Sequence, residues 1–482
     1  MSDAPSARPS GVVLWGAPTT PGRRARSRRP GAILSAISRA KRTAALFGAD
    51  HPVVRETMGE AHQTVEHLLA SRHSLRFAIY EDAFFVENTV LLHESLQLYP
   101  LLAELREREI GVIDLHEGIE LGELSTLVDI LNLELPELRR LGAQGHLEQR
   151  GVRHITVGPV GPPREHLNLK VDPREAYRAG LRVVDELGFQ ASRELPLELR
   201  QARLVLNSLI DIVSQDKVAL LGVAALRNYD EDTAHHSVNV AILSLLTGAR
   251  FALQRIAMTT LGLVSLLHDI GKVRIPREIL TKAGKLTTEE QTVMRRHTAY
   301  GAHILRDLPG LARLAMVVAF EHHANFDLSG YPLVTAKRQP HLFTRIVQVA
   351  DFFDAATSSR RVYHRAMLPA EATKFIIDHA GKMFDPVVAR VFVQVLGLYP
   401  AGSVVELDGG DLAVVMAPGE REPTRPVVTV VRGRGRGTFA PCRLNLEAAR
   451  ERRIVRALDP AAVNVDPAQV LGQAPEAAGS DR

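Results

Sequence analysis

Cysteine is almost absent from this chain of 482 residues, which contains only Cys442. One thiol cannot build a disulfide framework, so the class of small disulfide-stapled secreted proteins is excluded and a reducing compartment is expected. Aromatic residues make up only 5% of the chain. No apolar run reaches the roughly 18 residues that a transmembrane helix needs. We therefore expect a cytoplasmic protein without a transmembrane segment.

A strong charge imbalance is also lacking, because 59 basic residues face 55 acidic ones and the net charge is +4. Much of this small surplus lies near the termini, and a solvated arm explains it without a polyanionic partner. The arginine-glycine run at 432–437 has no interleaved aromatic residues, so a nucleic-acid polymer is not expected as a partner. Apolar residues make up 45% of the chain, which is enough for ordinary globular cores.

The pattern of composition and hydrophobicity divides the chain into parts. Residues 32–158 mix helical spacing with strand-like runs, which predicts an α+β domain with a regulatory or oligomerising role. Alternating apolar residues around Asp408-Gly409-Gly410 predict a hairpin near the C-terminus. The expected parts are a disordered basic tail at 1–30, the α+β domain at 32–158, a Pro/Gly linker at 159–171, a helical domain at 172–398, a small β domain at 402–458 and a disordered tail at 459–482.

Residue types that bind metals recur through the helical part at intervals of 25 to 32 residues, about one helix plus one loop. These positions are His236, His268, Asp269, His297, His322, His323 and Asp351. Helices that each contribute one ligand would build a shared centre. Imidazole with carboxylate suits Fe, Mn or Zn, and a bridging carboxylate suits two ions. Any one histidine taken alone is more often a satisfied core residue.

Five blocks of this region resemble the HD-GYP branch of the HD metal-dependent phosphohydrolases. They occur in the family's order between about residues 200 and 398: HDIGKVRIPREILTKAGKLTTEE preceding RRHTAYGAHIL, EHHANFDLSGYP, RIVQVADFFDAATSSR and GKMFDPVV. The resemblance implies a helical HD-type bundle. The expected fold class is therefore mainly α, with an N-terminal α+β domain and a small C-terminal β appendage.

The resemblance also implies a role for each ligand candidate. Asp269 would bridge two divalent ions, with Fe or Mn as the expected metals. The two shells would be completed by His236, His268 and Asp351 for one ion, and by His297, His322 and His323 for the other. Some family members hold a third ion through an acidic residue four positions before the first histidine, where Asp232 stands here. The adjacent His235 is an alternative first histidine, but His236 leaves Asp232 one helical turn earlier.

The substrate is implied by the resemblance and not by the spacing. HD-GYP proteins typically hydrolyse cyclic di-GMP to linear pGpG, and in some cases on to GMP, in bacterial signalling. Lys272 and the ions would stabilise charge on the phosphoryl oxygens while water attacks phosphorus. Tyr331 of the Gly-Tyr-Pro segment is a candidate contact for a guanine or ribose. The candidates for the second phosphate are Lys282, Arg360 and Arg361.

Two departures from the family pattern keep other functions open. Ala324 stands where the family usually has glutamate, and Leu328 stands where it commonly has glycine. A first alternative is therefore a catalytically weak module that binds the dinucleotide and signals to a partner protein. A second alternative is an enzyme acting on another cyclic dinucleotide or a nucleotide. A homodimer is compatible with either, and the input sensed by the N-terminal domain is not fixed by the sequence.

Overall fold

The structure is a computed structural model that describes residues 29–48, 50–80, 82–159, 170–225, 233–282, 284–333, 338–358, 366–433 and 441–472. Asp232, Arg360 and Arg361 lie outside the described residues, as do nearly all of the predicted basic tail and most of the predicted linker. The chain separates into two compact units, residues 1–168 and 169–482. Each unit is considered by itself.

The N-terminal unit is an α+β domain, as the sequence pattern predicts. Its antiparallel sheet has the order β3-β2-β1-β4-β5. The strands are β1 (Ser74–Tyr80), β2 (Ala83–Val86), β3 (Thr89–Val90), β4 (Val112–His116) and β5 (Ile155–Gly158). The helices are α1 (Gly31–Phe47), α2 (Pro52–Leu69), α3 (Leu92–Gln97), α4 (Tyr99–Glu107), α5 (Leu121–Leu131) and α6 (Leu135–Gln149).

A single apolar core joins the sheet of this unit to its helices. Alternate residues of β1, namely Leu75, Phe77 and Ile79, are buried in it because successive strand side chains point to opposite faces. Helix α1, which follows the predicted basic tail, buries Ile33 and Ile37 against the same core.

The C-terminal unit begins with a helical bundle, which confirms the predicted mainly α fold class. Its helices are α7 (Pro173–Ser192), α8 (Leu199–Gln215), α9 (Lys217–Ala225), α10 (Thr233–Arg250), α11 (Arg255–Leu267), α12 (Arg277–Leu280), α13 (Thr288–Arg295), α14 (His297–Leu305), α15 (Arg313–Glu321), α16 (Leu342–Thr357), α17 (Pro369–Asp378) and α18 (Pro386–Leu396). Two 3-10 helices lie at Ile270–Arg274 and Gly310–Ala312.

Helix α10 is the centre of the bundle. It contacts α7, α8, α11, α16 and α18. A helix surrounded on this many sides must be apolar around most of its circumference, and the residues of α10 from Ser237 to Gly248 are all buried. The polar residues near its beginning therefore stand out as candidates for a specific role.

The segment Arg255–Arg274, formed by α11 and the following 3-10 helix, is the one helix among the described residues that is long and apolar enough to cross a membrane. However, 72% of its apolar window is buried inside the unit. It packs against α8, α10 and α15. We therefore interpret it as a core helix of the bundle.

A second sheet follows the bundle, with the order β10-β6-β7-β8-β9 and antiparallel neighbours. Its strands are β6 (Val404–Leu407), β7 (Leu412–Ala417), β8 (Val427–Arg432), β9 (Cys442–Asn445) and β10 (Ile454–Leu458). The predicted turn at Asp408-Gly409-Gly410 connects β6 to β7. The small C-terminal β region of the expected fold class is thus confirmed.

The prediction of a disordered tail at 459–482 is wrong for residues 459–472. Two short helices lie there, α19 (Pro460–Val463) and α20 (Pro467–Gly472). Each follows an aspartate that caps it and has proline in its first turn. Val463, Val470 and Leu471 pack against one face of the second sheet. These apolar residues are scattered among alanine and proline, so no periodic pattern marked them. Residues 473–482 lie outside the described part of the chain.

Candidate metal centre

Helices α10 and α16 bring the first and last predicted ligands together. His236 lies in the first turn of α10 and Asp351 lies within α16, and the two helices contact each other. His236 Nε2 is 3.1 Å from Asp351 Oδ1. The alternative first histidine, His235, instead lies beside Tyr177, with ring centroids 6.1 Å apart.

The end of α11 places the His-Asp pair against these two residues. His268 ends the helix, and Asp269 begins the 3-10 helix Ile270–Arg274. His268 Nε2 lies 3.9 Å from Asp351 Oδ1, and His236 Nε2 lies 3.6 Å from Asp269 Oδ2. Because the chain turns between them, the adjacent side chains of His268 and Asp269 reach one centre.

Glycine at position 271 allows the next helix to approach. A Cβ atom there would lie 2.0 Å from the carbonyl oxygen of His297 and 2.4 Å from the amide nitrogen of Gly301, so a larger residue would push α14 away. His297 is the first residue of α14, and its Nε2 lies 3.4 Å from Asp269 Oδ1. A capping box of Thr287 and Glu290 begins the preceding helix, α13.

The double histidine at the end of α15 completes the cluster. His322 Nε2 is 3.2 Å from His297 Nε2 and 3.7 Å from Asp269 Oδ1. The His323 ring lies 4.1 Å from the His322 ring, and its Nδ1 is 3.8 Å from Asp351 Oδ2. The structure thus gathers every predicted ligand except Asp232, which is not among the described residues.

The donor atoms form three overlapping sets, within each of which all ligand atoms lie within 4.8 Å of one another. The sets are His236-His268-Asp351, His268-Asp269-His322 and His297-His322-His323. Buried His268 Nε2 and Asp269 Oδ1 have no hydrogen-bond partner within the described residues. An unsatisfied buried polar atom costs about 1–3 kcal/mol, and a cation between these atoms would remove that cost. The donor set therefore fits divalent metal ions.

Burial and charge favour the protonation states that metal ligands need. Burial lowers the pKa of both the His268 and His297 imidazoles to about 4, so both rings are neutral near pH 7. Burial opposes ionisation of Asp269, but the Lys272 ammonium outweighs it and holds the pKa of that carboxyl well below its usual range. Asp269 is consequently an anion beside the neutral imidazoles of His268 and His297.

His236 differs from the other histidines of the cluster. Burial alone would lower the pKa of its imidazole, but hydrogen bonds with Asp351 and Asp354 outweigh burial and raise that pKa to about 10. Asp354 was missed by sequence reasoning. It lies one helical turn after Asp351 on α16, and its Oδ2 is 2.7 Å from His236 Nδ1. A cation at Nε2 would take the place of the proton there.

The two predicted lysines occupy different surroundings. Lys272 is partly exposed and donates a hydrogen bond to Asp269, so its ammonium lies directly at the cluster. Lys282 donates instead to Glu290 at 2.6 Å. The structure thus places Lys272 beside the donor set and holds Lys282 in an ion pair at the start of α13.

The Gly-Tyr-Pro segment closes over the double histidine. Gly330 has φ +93°, and a Cβ atom there would lie 2.4 Å from the carbonyl oxygen of His323. That carbonyl accepts a hydrogen bond from the Tyr331 amide at 3.2 Å. The Tyr331 ring consequently lies 4.6 Å from the His323 ring. The guanidinium of Arg295, a residue that sequence reasoning missed, lies 5.0 Å from the Tyr331 ring centroid.

The two departures from the family pattern have structural consequences in this loop. Ala324 is buried, and its carbonyl accepts a hydrogen bond from Gln348 at 3.0 Å. Leu328 has φ +68°, a left-handed conformation that costs a residue with a Cβ atom about 1–2 kcal/mol. Neither departure removes a donor atom from the cluster.

Comparison with known proteins identifies the family of this chain. An HD domain family model matches residues 207–388. A cyclic di-GMP phosphodiesterase of Pseudomonas aeruginosa is 34% identical over 302 residues, which are 62% of this chain and 70% of that protein.

Two further relatives match over shorter stretches. A cyclic di-GMP phosphodiesterase of Thermotoga maritima is 36% identical over 34% of this chain and 45% of its own length. A 3'3'-cGAMP-specific phosphodiesterase of Vibrio cholerae is 34% identical over 35% of this chain and 36% of its own length. The chain thus spans less than half the length of these two relatives. The match to the Pseudomonas protein, however, covers 70% of that protein. Together, the matches show that the chain belongs to the HD-GYP family of HD-domain, metal-dependent phosphodiesterases.

Proposed function

We propose that this chain hydrolyses cyclic di-GMP to linear pGpG at a centre of two divalent ions, Fe or Mn, in bacterial second-messenger signalling. The observation that carries the proposal is the pair of three-residue donor sets, His236-His268-Asp351 and His297-His322-His323, with Asp269 between them. Further hydrolysis to GMP and a third ion at Asp232 extend the same proposal. The proposal also includes a location in the cytoplasm, and action as a homodimer or together with signalling proteins.

The chain's own residues would bind and orient the substrate at this centre. Two bound ions would supply an activated water and positive charge for the phosphoryl oxygens. Lys272 is partly exposed beside Asp269, so its ammonium can add positive charge on the same side. The seven ligand side chains come from five helices or helix ends of a packed bundle, which keeps the donor atoms in place without reorganisation.

Tyr331 and Arg295 would form one wall of the substrate site. The Tyr331 ring lies next to the His323 ring and below the Arg295 guanidinium, and a planar base would stack against this group. Lys282, Arg360 and Arg361 remain proposed contacts for the second phosphate. For Lys282, this contact would require exchange of its ion pair with Glu290.

The test is hydrolysis of cyclic di-GMP by Mn- or Fe-loaded protein, with products separated by chromatography. We expect wild-type protein to form pGpG and His268→Ala to form none above background. His303→Ala is a matched control, because His303 is an exposed histidine on α14 outside the donor sets. Metal-loaded wild-type protein that binds the dinucleotide without cleaving it would refute the enzyme and favour a signalling module.

A second candidate substrate is 3'3'-cGAMP. It is favoured by the Vibrio cholerae relative named for that activity. The proposed stacking wall is compatible with guanine and adenine, since each purine offers an aromatic face. Competition between cyclic di-GMP and 3'3'-cGAMP in one reaction would rank them by kcat/KM. A preference for 3'3'-cGAMP would replace the proposed substrate while leaving the metal centre unchanged.

A further inference from the structure

A chain of buried hydrogen bonds lies behind His236, on the side opposite the donor set. Asp354 Oδ2 pairs with His236 Nδ1 at 2.7 Å, and Asp354 Oδ1 accepts from Asn239 Nδ2 at 3.0 Å. Asn239 Oδ1 in turn accepts from the Tyr177 hydroxyl at 3.0 Å. Asn239, Asp354 and Tyr177 are 4%, 5% and 9% exposed, so water competes little for these bonds.

The donor and acceptor groups allow only one direction for this series of hydrogen bonds. An ionised carboxylate can only accept, so Asn239 must present its amide NH2 to Asp354 and His236 must carry its proton on Nδ1. The amide oxygen of Asn239 then faces Tyr177, whose hydroxyl must donate. Each link fixes the next, and the last link leaves Nε2 of His236 directed towards Asp351 and Asp269, where a cation would take the place of its proton.

The other ligands are oriented in a different way. Nδ1 of His268 donates to the carbonyl oxygen of Ser265, and Nδ1 of His297 donates to that of Met294, each at 2.7 Å. Nδ1 of His322 lies 3.0 Å from the carbonyl oxygen of Ala319. These three rings are held by the backbone within four residues of themselves. His236 instead depends on side chains that three separate helices contribute.

The far end of the hydrogen-bond chain lies at the start of the bundle. Tyr177 is in the second turn of α7, five residues after the helix cap Asp172. Helix α7 is the first helix of the unit, and it packs against α10. A shift or rotation of α7 would therefore alter the bond between Tyr177 and Asn239.

We propose that Tyr177 and Asn239 are positioning residues that hold His236 ready for a cation, so that the placement of α7 controls occupancy of the His236-His268-Asp351 site. This inference rests on the proposed metal centre and names a means of regulating it. The site of His297, His322 and His323 has no part in the hydrogen-bond chain and would keep its ion.

The test compares metal affinity in Tyr177→Phe and wild-type protein. The substitution removes one hydroxyl and keeps the ring, so the fold is expected to persist and circular dichroism checks it. Loss of the hydrogen-bond partner of a metal ligand typically weakens metal binding about 10–100-fold, and Tyr177 acts on His236 only through Asn239 and Asp354, so a loss near the lower end of that range is expected. We expect that loss at one of two sites, seen as two-phase release of ions to a chelator and as a changed metal-centre spectrum. Tyr399→Phe, at a half-buried tyrosine after the bundle, is the matched control and should release both ions as wild type does.

A double variant tests whether Tyr177 and Asn239 act through one series of hydrogen bonds or through two independent packing effects. Asn239→Leu should weaken the same site, and adding Tyr177→Phe to it should produce no further loss, because the link is already broken. Additive losses, or wild-type affinity at both sites in Tyr177→Phe, would overturn the inference. Wild-type protein that holds two ions without cleaving cyclic di-GMP would refute the proposed function and leave this inference standing. Wild-type protein that holds no ion would refute both.

Discussion

A half-buried carboxylate in the N-terminal unit and a buried one in the C-terminal unit have similar electrostatics and different partners. Glu123 in the N-terminal unit accepts backbone hydrogen bonds from Glu120, Arg153 and His154, and these lower the pKa of its carboxyl to about 2 in spite of its burial. The pKa of the Asp269 carboxyl is lowered as well, chiefly by the Lys272 ammonium. A lowered pKa alone therefore does not distinguish a structural carboxylate from a functional one.

The difference lies in what each carboxylate leaves unsatisfied. Both oxygens of Glu123 are bonded to groups that connect α5 to β5. In contrast, Asp269 Oδ1 has no hydrogen-bond partner within the described residues, although two imidazole Nε2 atoms lie within 3.7 Å of it. Glu123 thus stabilises a fold, whereas Asp269 is placed for a ligand that the side chains alone do not supply.

Removing the charge of Asp269 should have the largest effect on function. Asp269→Asn keeps the shape but replaces one anionic oxygen with an amide that repels a cation. Because metal ions contribute several kcal/mol to such reactions, we expect at least a roughly 100-fold loss of phosphodiesterase activity. Elemental analysis should show loss of metal in the same sample. Retention of full activity would mean that Asp269 does not bridge the ions.

The same change at Glu123 should affect stability without affecting the metals. Glu123→Gln removes a carboxylate whose shifted pKa corresponds to about 2–3 kcal/mol of folding free energy at neutral pH. This contribution is present above the unfolded pKa near 4.5 and is lost as the pH falls towards 2. Urea unfolding of wild type and variant at pH 7 and pH 3 measures it. An altered metal content in Glu123→Gln would contradict the contrast between the two carboxylates.

The contributions of Glu123 and His236 to stability should have opposite pH dependences. The pKa of His236 is raised from its usual 6.5 to about 10. In metal-free protein the contribution of His236 to the free energy of unfolding is therefore full below pH 6.5 and is lost as the pH rises towards 10. The difference in unfolding free energy between wild type and His236→Asn should shrink over that range. Added Mn should flatten this slope, because a cation would replace the proton; an unchanged slope with bound Mn would show that the ion does not reach His236.

The smallest expected effect concerns the rim of the site. Arg295→Ala removes a cation–π contact with Tyr331, which is worth about 0.5–1 kcal/mol at an exposed position. We expect KM for cyclic di-GMP to rise about 2–5-fold with kcat nearly unchanged. Arg296→Ala is the neighbouring control, since Arg296 is exposed and is not the arginine that contacts the ring. A fall in kcat without a change in KM would place Arg295 in the chemistry instead of the substrate wall.

The sequence predicted the elements whose causes are local. The turn at Asp408-Gly409-Gly410 depends on a few adjacent residues, and it is present in the structure. The ligand positions could be predicted because the family motif carries them. The association of Tyr177, Asn239 and Asp354 could not, because it depends on the rotation of three helices about their axes. Spacing along the chain does not determine that rotation.

The number of ions bound per chain tests the central claim most directly. Protein purified without oxygen, or reconstituted with Fe or Mn, would be analysed for metal content beside His268→Ala and His303→Ala. We expect at least two ions in wild type and in His303→Ala, and fewer in His268→Ala. A wild-type protein that holds no ion after reconstitution would show that the buried histidines and aspartates of α10, α11, α14, α15 and α16 are not a metal centre.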